Sequence, residues 1–412
     1  MIDVVADQII ILVSSTLVLC YLGSLFYSKT KVPDIIWVLG FGILLGPVLG
    51  FFDKELFLSI SPMMSTIALS IILFDAGINV DITLLLRAML KSTILSVSTI
   101  LSVMVAFGFL LSYVAPGSFN FLQGMLLGAM TGGTSTIAVF GVLSGLERLI
   151  PNIEDTKVLL MMESVISDPI CIIASITIIR MIMLPGVSVV DSLRDIFTIF
   201  VLASLLGFVV GLIWSEVLDR IRGRSLNYMM TIAILFPTYI IAERTIGEGG
   251  GPMAALTFGL VIANYRYILR RIGINRSLKI DKKRLREFHE EITFLIKAFF
   301  FVYIGLIVTI SVEYVRLGLV VLVAMLLVRV VVVQGVGLVF RFTAQEKLLS
   351  SLIYASGLPA FVMSQLPMIF DPDRLNFMNP EIYPNLTMPI VLGTVLFGAF
   401  AGPIIAKRRL VS

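Results

Sequence analysis

Charge is the scarce commodity in this sequence: 14% of its 412 residues are Asp, Glu, Lys or Arg, where an average soluble domain carries about a quarter. Together with 58% hydrophobic residues, that scarcity excludes a soluble enzyme, because too few charged groups exist to clothe a water-facing surface. Cysteine is almost absent. Cys20 and Cys171 are the two, and both lie in apolar stretches, so no disulfide or metal framework is available. Histidine is present once, as His289. No ten-residue alternation of apolar and polar positions appears, which excludes a transmembrane β-barrel. What recurs instead are apolar stretches of about 20 residues, the length that crosses the hydrocarbon of a bilayer as a helix. The fold class is therefore an all-α polytopic membrane protein. A net charge of +4 implies no nucleic-acid partner here, because the basic residues sort by membrane side.

Hydropathy and the Pro, Gly and charge punctuation place thirteen spans, at 8–28, 34–52, 58–79, 92–115, 121–145, 157–185, 195–218, 226–243, 249–264, 291–311, 314–340, 347–370 and 386–406. The chain opens Met1-Ile2-Asp3 with neither a basic region nor a small-residue cleavage site, so a retained first helix is expected. Of the 31 Lys and Arg, only Lys54, Arg180, Arg194, Arg244, Arg316 and Arg374 fall in loops on one side. Lys297 and Arg329 lie within spans, and the rest fall on the other side. That bias predicts an external N-terminus and a cytoplasmic C-terminus in a multi-pass plasma-membrane protein. The basic loop at 265–289 is the richest, with nine Lys and Arg and the single acid Asp281 between Arg266 and Arg286. Contact with anionic lipid is one reading of the 266–286 stretch, and orientation bias concentrated in one long loop is the other.

An internal repeat is also visible. Span 3 closes on Phe74-Asp75-Ala76-Gly77-Ile78, and span 10, seven spans later, on Tyr303-Ile304-Gly305-Leu306. An odd separation makes equivalent helices cross in opposite senses, as in inverted-topology repeats that place a site near the midplane. The expected organisation is one transmembrane transporter domain over 1–412. Within it lie a first six-helix repeat at 1–185, a linking helix at 195–218 and a second repeat at 226–406.

Ionisable groups deep in a span are expensive and so point to function. Span 6 carries Glu163 and Asp168, span 3 Asp75, span 10 Lys297 and span 11 Arg329. Ser164 and Asp168 are four apart and share a helical stripe, presenting a hydroxyl and a carboxylate oxygen to one point, while Glu163 and Ser167 form a parallel stripe. Hard cations favour such oxygens. Pro169 removes a backbone donor beside them. Glu163 and Arg329, one acid and one base at mid-span, read as a structural ion pair. Lys297 starts about two helical turns in from Glu290-Glu291 and is expected to snorkel to the water. His289 stands at the cytoplasmic edge of span 10. Both are candidate modulators.

Two spans look broken. Thr131-Gly132-Gly133-Thr134-Ser135-Thr136 interrupts span 5, and Ala355-Ser356-Gly357-Leu358-Pro359-Ala360 interrupts span 12. A crossing of the two, with Thr134, Ser135, Gly357 and Pro359 at its centre, would aim helix ends at the Asp168 region. Small residues lining a packing seam are the alternative.

With these residues in view, the chain resembles the monovalent cation/proton antiporter superfamily, nearest to archaeal and bacterial NhaP-type sodium/proton exchangers. The match rests on Glu163-Ser164-Val165-Ile166-Ser167-Asp168 against Glu-Ser-x-x-Asn-Asp, on Leu73-Phe74-Asp75-Ala76-Gly77-Ile78 against Leu-Phe-Glu-Gly-Gly-Leu, on Thr134-Ser135-Thr136-Ile137-Ala138-Val139 against Thr-Asp-Pro-x-Ala-Val, and on Arg329 in span 11. The resemblance implies a sodium ion held by Asp168, Ser164, Asp75 and the Thr134 main chain, with Ser167 in the binding group and Glu163 paired to Arg329. It also implies a homodimer and a core bundle moving against a dimerisation bundle. No cofactor is implied beyond the transported sodium (or lithium or potassium) and proton. Three departures stand out: Ser167 replaces Asn, Ser135 replaces the acid of the first broken span, and Pro359 replaces the base of the second. The last two leave the crossing less charged.

The expected activity is secondary antiport, with cation and proton competing for Asp168. Position 167 carries no second acid, so by analogy with the nearer relatives the exchange is electroneutral. Potassium/proton exchange is the alternative within the same class. A cation channel is a remoter one, because the charges cluster at one depth instead of forming a continuous polar path. An intramembrane hydrolase is disfavoured by the lack of a mid-span His and of a Gly-x-Ser-x-Gly motif.

Overall fold

The computed structural model describes all residues except 1–9, 20, 24–33, 53, 81, 148–149, 151–152, 184–188, 222–225, 227, 272, 274–281 and 411–412. Among the described residues every regular element is a helix. Seven of the helices are long and apolar enough to cross a membrane. Residues 272 and 274–281 of the basic 266–286 loop, Asp281 included, and Cys20 lie outside the described residues.

The chain divides into two compact units, each built from separate stretches of the sequence. The first comprises Met1–Pro62, Ala88–Met183 and Ala298–Ser412, and the second Met63–Arg87 and Leu184–Lys297. The helices used below are α1 (Asp34–Ile43), α2 (Ser61–Asn79), α3 (Ile82–Val114), α4 (Phe121–Thr131), α5 (Thr136–Leu146), α6 (Glu154–Met183), α7 (Val189–Arg220), α8 (Met229–Ile241), α9 (Gly250–Arg271), α10 (Lys282–Ile307), α11 (Val312–Val339), α12 (Ala344–Leu352), α13 (Leu358–Ser364) and α14 (Ile382–Leu396).

In the first unit, local signals set the helix starts. Asn120 and Gln123 form a capping box on α4, and Thr343 and Glu346 form one on α12. Ser311 caps α11 through the Tyr314 amide. Apolar faces then close the unit. Leu143 and Leu146 of α5, Leu160 of α6 and Leu349 and Leu352 of α12 share one buried cluster, and Leu95 of α3, Leu159 of α6 and Val333 of α11 share another. Spans 5 and 12 are both interrupted: α4 ends at Thr131 and α5 begins at Thr136, while α12 ends at Leu352 and α13 begins at Leu358.

The second unit carries α2, α7, α8, α9 and the first part of α10. Between α8 and α9 the Glu243 carboxylate accepts from the Gly249 and Gly251 amides at 2.9 and 2.8 Å, satisfying donors at the start of α9. The matching x-Gly-apolar closures of spans 3 and 10 both mark close helix crossings. A side chain at Gly77 would strike the Leu256 carbonyl, and one at Gly305 would lie 2.7 Å from the Gly42 Cα.

The connectors of the first unit are fastened by polar groups. Lys54 donates to Thr309 Oγ1 at 2.6 Å and lies 3.6 Å from Glu381, which also accepts from Arg374 at 3.0 Å. After the second broken span, Asp371 accepts from the amides of Leu375, Asn376 and Phe377 at 3.0, 2.7 and 2.7 Å. Burial opposes its charge, but these backbone donors outweigh that and hold the carboxyl below its ordinary range. A depressed carboxyl contributes stability that is complete above about pH 4 and is lost as pH falls through the lower folded value. Thermal melting against pH should therefore show the native protein weakening below that point, with Asp371→Asn less stable at neutral pH and flatter in its acid limb.

Candidate functional site

The site lies in the first unit, where the break between α4 and α5 meets α6. Gly132 and Gly133 end the helix, and Ser135 starts the next one by accepting from the Ala138 amide at 3.5 Å. The turn between them is pinned to α6. The Thr134 amide donates to Ser167 Oγ at 3.1 Å, and Thr134 Oγ1 and Ser164 Oγ are 2.9 Å apart. Ser167 donates onward to the Ser164 carbonyl at 2.9 Å, and Ser164 to the Leu160 carbonyl at 3.1 Å. The Gly133 backbone lies close against Ser167 and Cys171. Asp168, 8% exposed, follows Ser164 by one helical turn on the same stripe. Pro169 sits inside α6 and withholds an amide from the Val165 carbonyl. Hydroxyl oxygens from two elements are thus gathered at a helix break, one turn of α6 from the residue that carries the Asp168 carboxylate. This set of hard oxygen donors suits a small hard cation.

Glu163, on the neighbouring stripe, points elsewhere. It forms a two-pronged pair with Arg329 of α11: Nη2 donates to Oε2 at 2.8 Å, and Nη1 donates to Oε1. Arg329 has no exposed surface and Glu163 is 2% exposed. The same guanidinium donates from Nε to the Ser350 carbonyl at 2.8 Å and from Nη1 to Thr99 Oγ1 at 3.0 Å. Its Cζ lies 4.8 Å from the centre of the Tyr354 ring. A buried charge with this many partners is fixed in place.

The breaks of the two spans lie against each other. The Ser135 amide donates to the Ala355 carbonyl at 2.7 Å. A side chain at Gly357 would collide with Ser135, whose Oγ would be 2.6 Å away, so only glycine permits the approach. Pro359 falls in the first turn of α13, where a missing amide hydrogen costs little. This crossing is uncharged and fastened by hydroxyls. Tyr354 Oη donates to the Gly132 carbonyl at 2.7 Å, and Ser356 Oγ donates to the Thr131 carbonyl at 2.7 Å.

Three expected residues lie in the second unit. Asp75 of α2 is engaged there, its Oδ1 by Asn79 at 3.2 Å and its Oδ2 by Lys297 at 3.5 Å. Lys297 therefore does not snorkel to water as its position suggested, because an opposite charge on the facing helix satisfies the ammonium where it stands. His289, expected at a watery edge, is buried, with its ring edge-on to Phe74 and Phe288.

Thr99, Ser350, Tyr354 and Ser356 carry parts of this site that sequence reasoning did not assign. One signal was available for Thr99, since Ser92, Ser96 and Thr99 fall on one helical stripe of α3 and all are buried. For Tyr354 the signal was a phenol hydroxyl at mid-span, which needs an acceptor once buried. Nothing in the sequence said which acceptor.

Comparison with known proteins gives the same class. Residues 14–408 match the family described as sodium/hydrogen exchanger, transmembrane. The chain is 25% identical over 298 residues to Na(+)/H(+) antiporter 1 of Methanocaldococcus jannaschii, covering 70% of this chain and 67% of that protein. It is 24% identical over 347 residues to the Na(+)/H(+) antiporter ApNhaP of Aphanothece halophytica, covering 82% of this chain and 62% of that one. Its fold superposes on the structure of the sodium proton antiporter MjNhaP1 from Methanocaldococcus jannaschii at pH 8 with a TM-score of 0.78. That superposition covers 98% of this chain and all of that one at 19% identity. With the family match running over nearly its whole length, the chain belongs to the transmembrane sodium/hydrogen exchanger family.

Proposed function

We propose that this chain exchanges sodium for protons by alternating access, with both ions competing for Asp168. The observation that carries the reading is the meeting of Thr134, Ser164 and Ser167 at a helix break one turn from that carboxylate. In a low-dielectric surrounding a carboxylate is disfavoured as a bare anion, so Asp168 holds either a proton or a cation. Thr134 and Ser164 supply further oxygens to the cation, and Ser167 braces the turn that carries Thr134. Asp75 enters this scheme as the partner of Lys297. Family membership favours sodium over potassium.

The remaining parts of the reading follow from sequence and family. Position 167 offers no second acid, so the exchange is electroneutral. The process is transport and not catalysis, and it runs without ATP or a cofactor. The chain acts as a homodimer in the plasma membrane with its N-terminus outside, its two halves are inverted repeats, and the 266–286 loop meets anionic lipid. Glu163 and Arg329 are structural: they orient α6 and leave Asp168 as the titrating group.

Asp168→Asn should abolish sodium-driven proton flux in proteoliposomes while leaving the melting temperature close to that of the unaltered protein. Persisting flux in that variant would sink the scheme. Arg329→Ala should behave in the opposite way, because it strands the Glu163 carboxylate without its partner, a loss of about 3–5 kcal/mol for a broken buried pair. Equal melting temperatures for the two variants would show that Glu163 needs no structural partner.

A further inference from the structure

The carbonyls of Thr131, Gly132 and Gly133 are the three that immediately precede Thr134. They lie where α4 stops, and carbonyls at such an end lack helical partners and carry partial negative charge. In many ion-conducting proteins, free carbonyls of this kind coordinate the cation. Here they are occupied. Tyr354 Oη donates to the Gly132 carbonyl at 2.7 Å. Ser356 Oγ donates to the Thr131 carbonyl at 2.7 Å, with the Gly133 carbonyl at 3.2 Å sharing the same proton.

Both donors are themselves held. The Tyr354 ring lies under the Arg329 guanidinium, which is locked to Glu163, Thr99 and Ser350. The Ser356 amide donates to Thr394 Oγ1 at 3.1 Å, and that hydroxyl donates to the Val391 carbonyl at 2.9 Å. The Tyr354 ring cannot swing away without leaving the guanidinium, and the Ser356 backbone is fixed through Thr394.

We propose that Tyr354 and Ser356 determine ion preference: by bonding the carbonyls of residues 131–133 they withhold these oxygens from the cation and hold the site to a small monovalent ion. The inference rests on the reading in which Asp168, Ser164 and Thr134 bind the cation. Neither residue touches the ion; both act through the backbone they occupy. A small ion is satisfied by the few oxygens left, one carboxylate and the hydroxyls beside it. A larger one such as potassium needs more oxygens at greater distance, and these are the carbonyls withheld.

The test uses the full chain in proteoliposomes, carrying Tyr354→Phe or Ser356→Ala, with proton flux driven by sodium and potassium added as competitor. In each variant the potassium concentration that halves the sodium-driven flux, relative to the half-saturating sodium concentration, should fall by about fivefold, the factor carried by one neutral hydrogen bond. The maximal sodium-driven rate should move less than this ratio, and Ser356→Thr, which keeps the hydroxyl, should restore it. If the unaltered protein exchanges sodium and both variants keep its ratio, the inference falls and the exchange reading stands. If the unaltered protein shows no sodium-driven flux, the exchange reading falls and takes the inference with it. The two variants free different carbonyls, so either one suffices if the other does not accumulate. Failure of both to accumulate folded would overturn the inference, because the hydroxyls would then be needed for folding itself.

Discussion

A guanidinium with no exposed surface inside an apolar bundle must be neutralised and hydrogen-bonded where it stands, and the first unit is arranged around meeting that demand for Arg329. Four of its N–H donors reach three helices: Glu163 on α6, Thr99 on α3 and the Ser350 carbonyl near the end of α12. Its face rests on Tyr354, which reaches the first broken span. Each contact fixes an element that also takes part in the site. The rotation of α6 is set by Glu163, and the position of the crossing by Tyr354. Asp168 inherits its placement from both.

The separation of two carboxylates on one helix is the consequence that matters for exchange. Glu163 and Asp168 are five residues apart and face different stripes of α6. The first is consumed by Arg329. The second follows Ser164 by one turn on the neighbouring stripe. In the proposed exchange the first acid has a structural task and the second carries the ion or the proton. The neutral crossing fits the same logic. Ser135 and Pro359 are both uncharged, and the crossing is held by a backbone bond from Ser135 to Ala355 and by the hydroxyls of Tyr354 and Ser356.

Much of this is legible in the sequence, and what is not has a physical cause. Helix breaks can be read because Gly132-Gly133 and Gly357-Leu358-Pro359 cannot continue a helix in lipid without special provision. The pairing of Glu163 with Arg329 can be read because each is a charge at mid-span that membrane burial forbids to stand alone. The partner of Lys297 is not legible, since its distance from the aqueous boundary is a local property while its closeness to Asp75 depends on how α10 is rotated against α2. Tyr354 and Ser356 were silent for a related reason. Their roles lie in which carbonyl they meet, and that is fixed by a crossing of segments more than 200 residues apart. Sequence patterns report the need for a partner and leave its identity to packing.

The central claim is that cation and proton displace one another at Asp168. The most direct measurement is proton release from the purified protein into weakly buffered solution on addition of sodium, followed with a pH-sensitive dye alongside calorimetric sodium binding. Competition at one carboxylate predicts that sodium binding releases protons in proportion to the sites filled while Asp168 is protonated. It also predicts that the release vanishes in Asp168→Asn. Sodium binding that releases no proton at any pH, or a release that survives in that variant, would contradict the account.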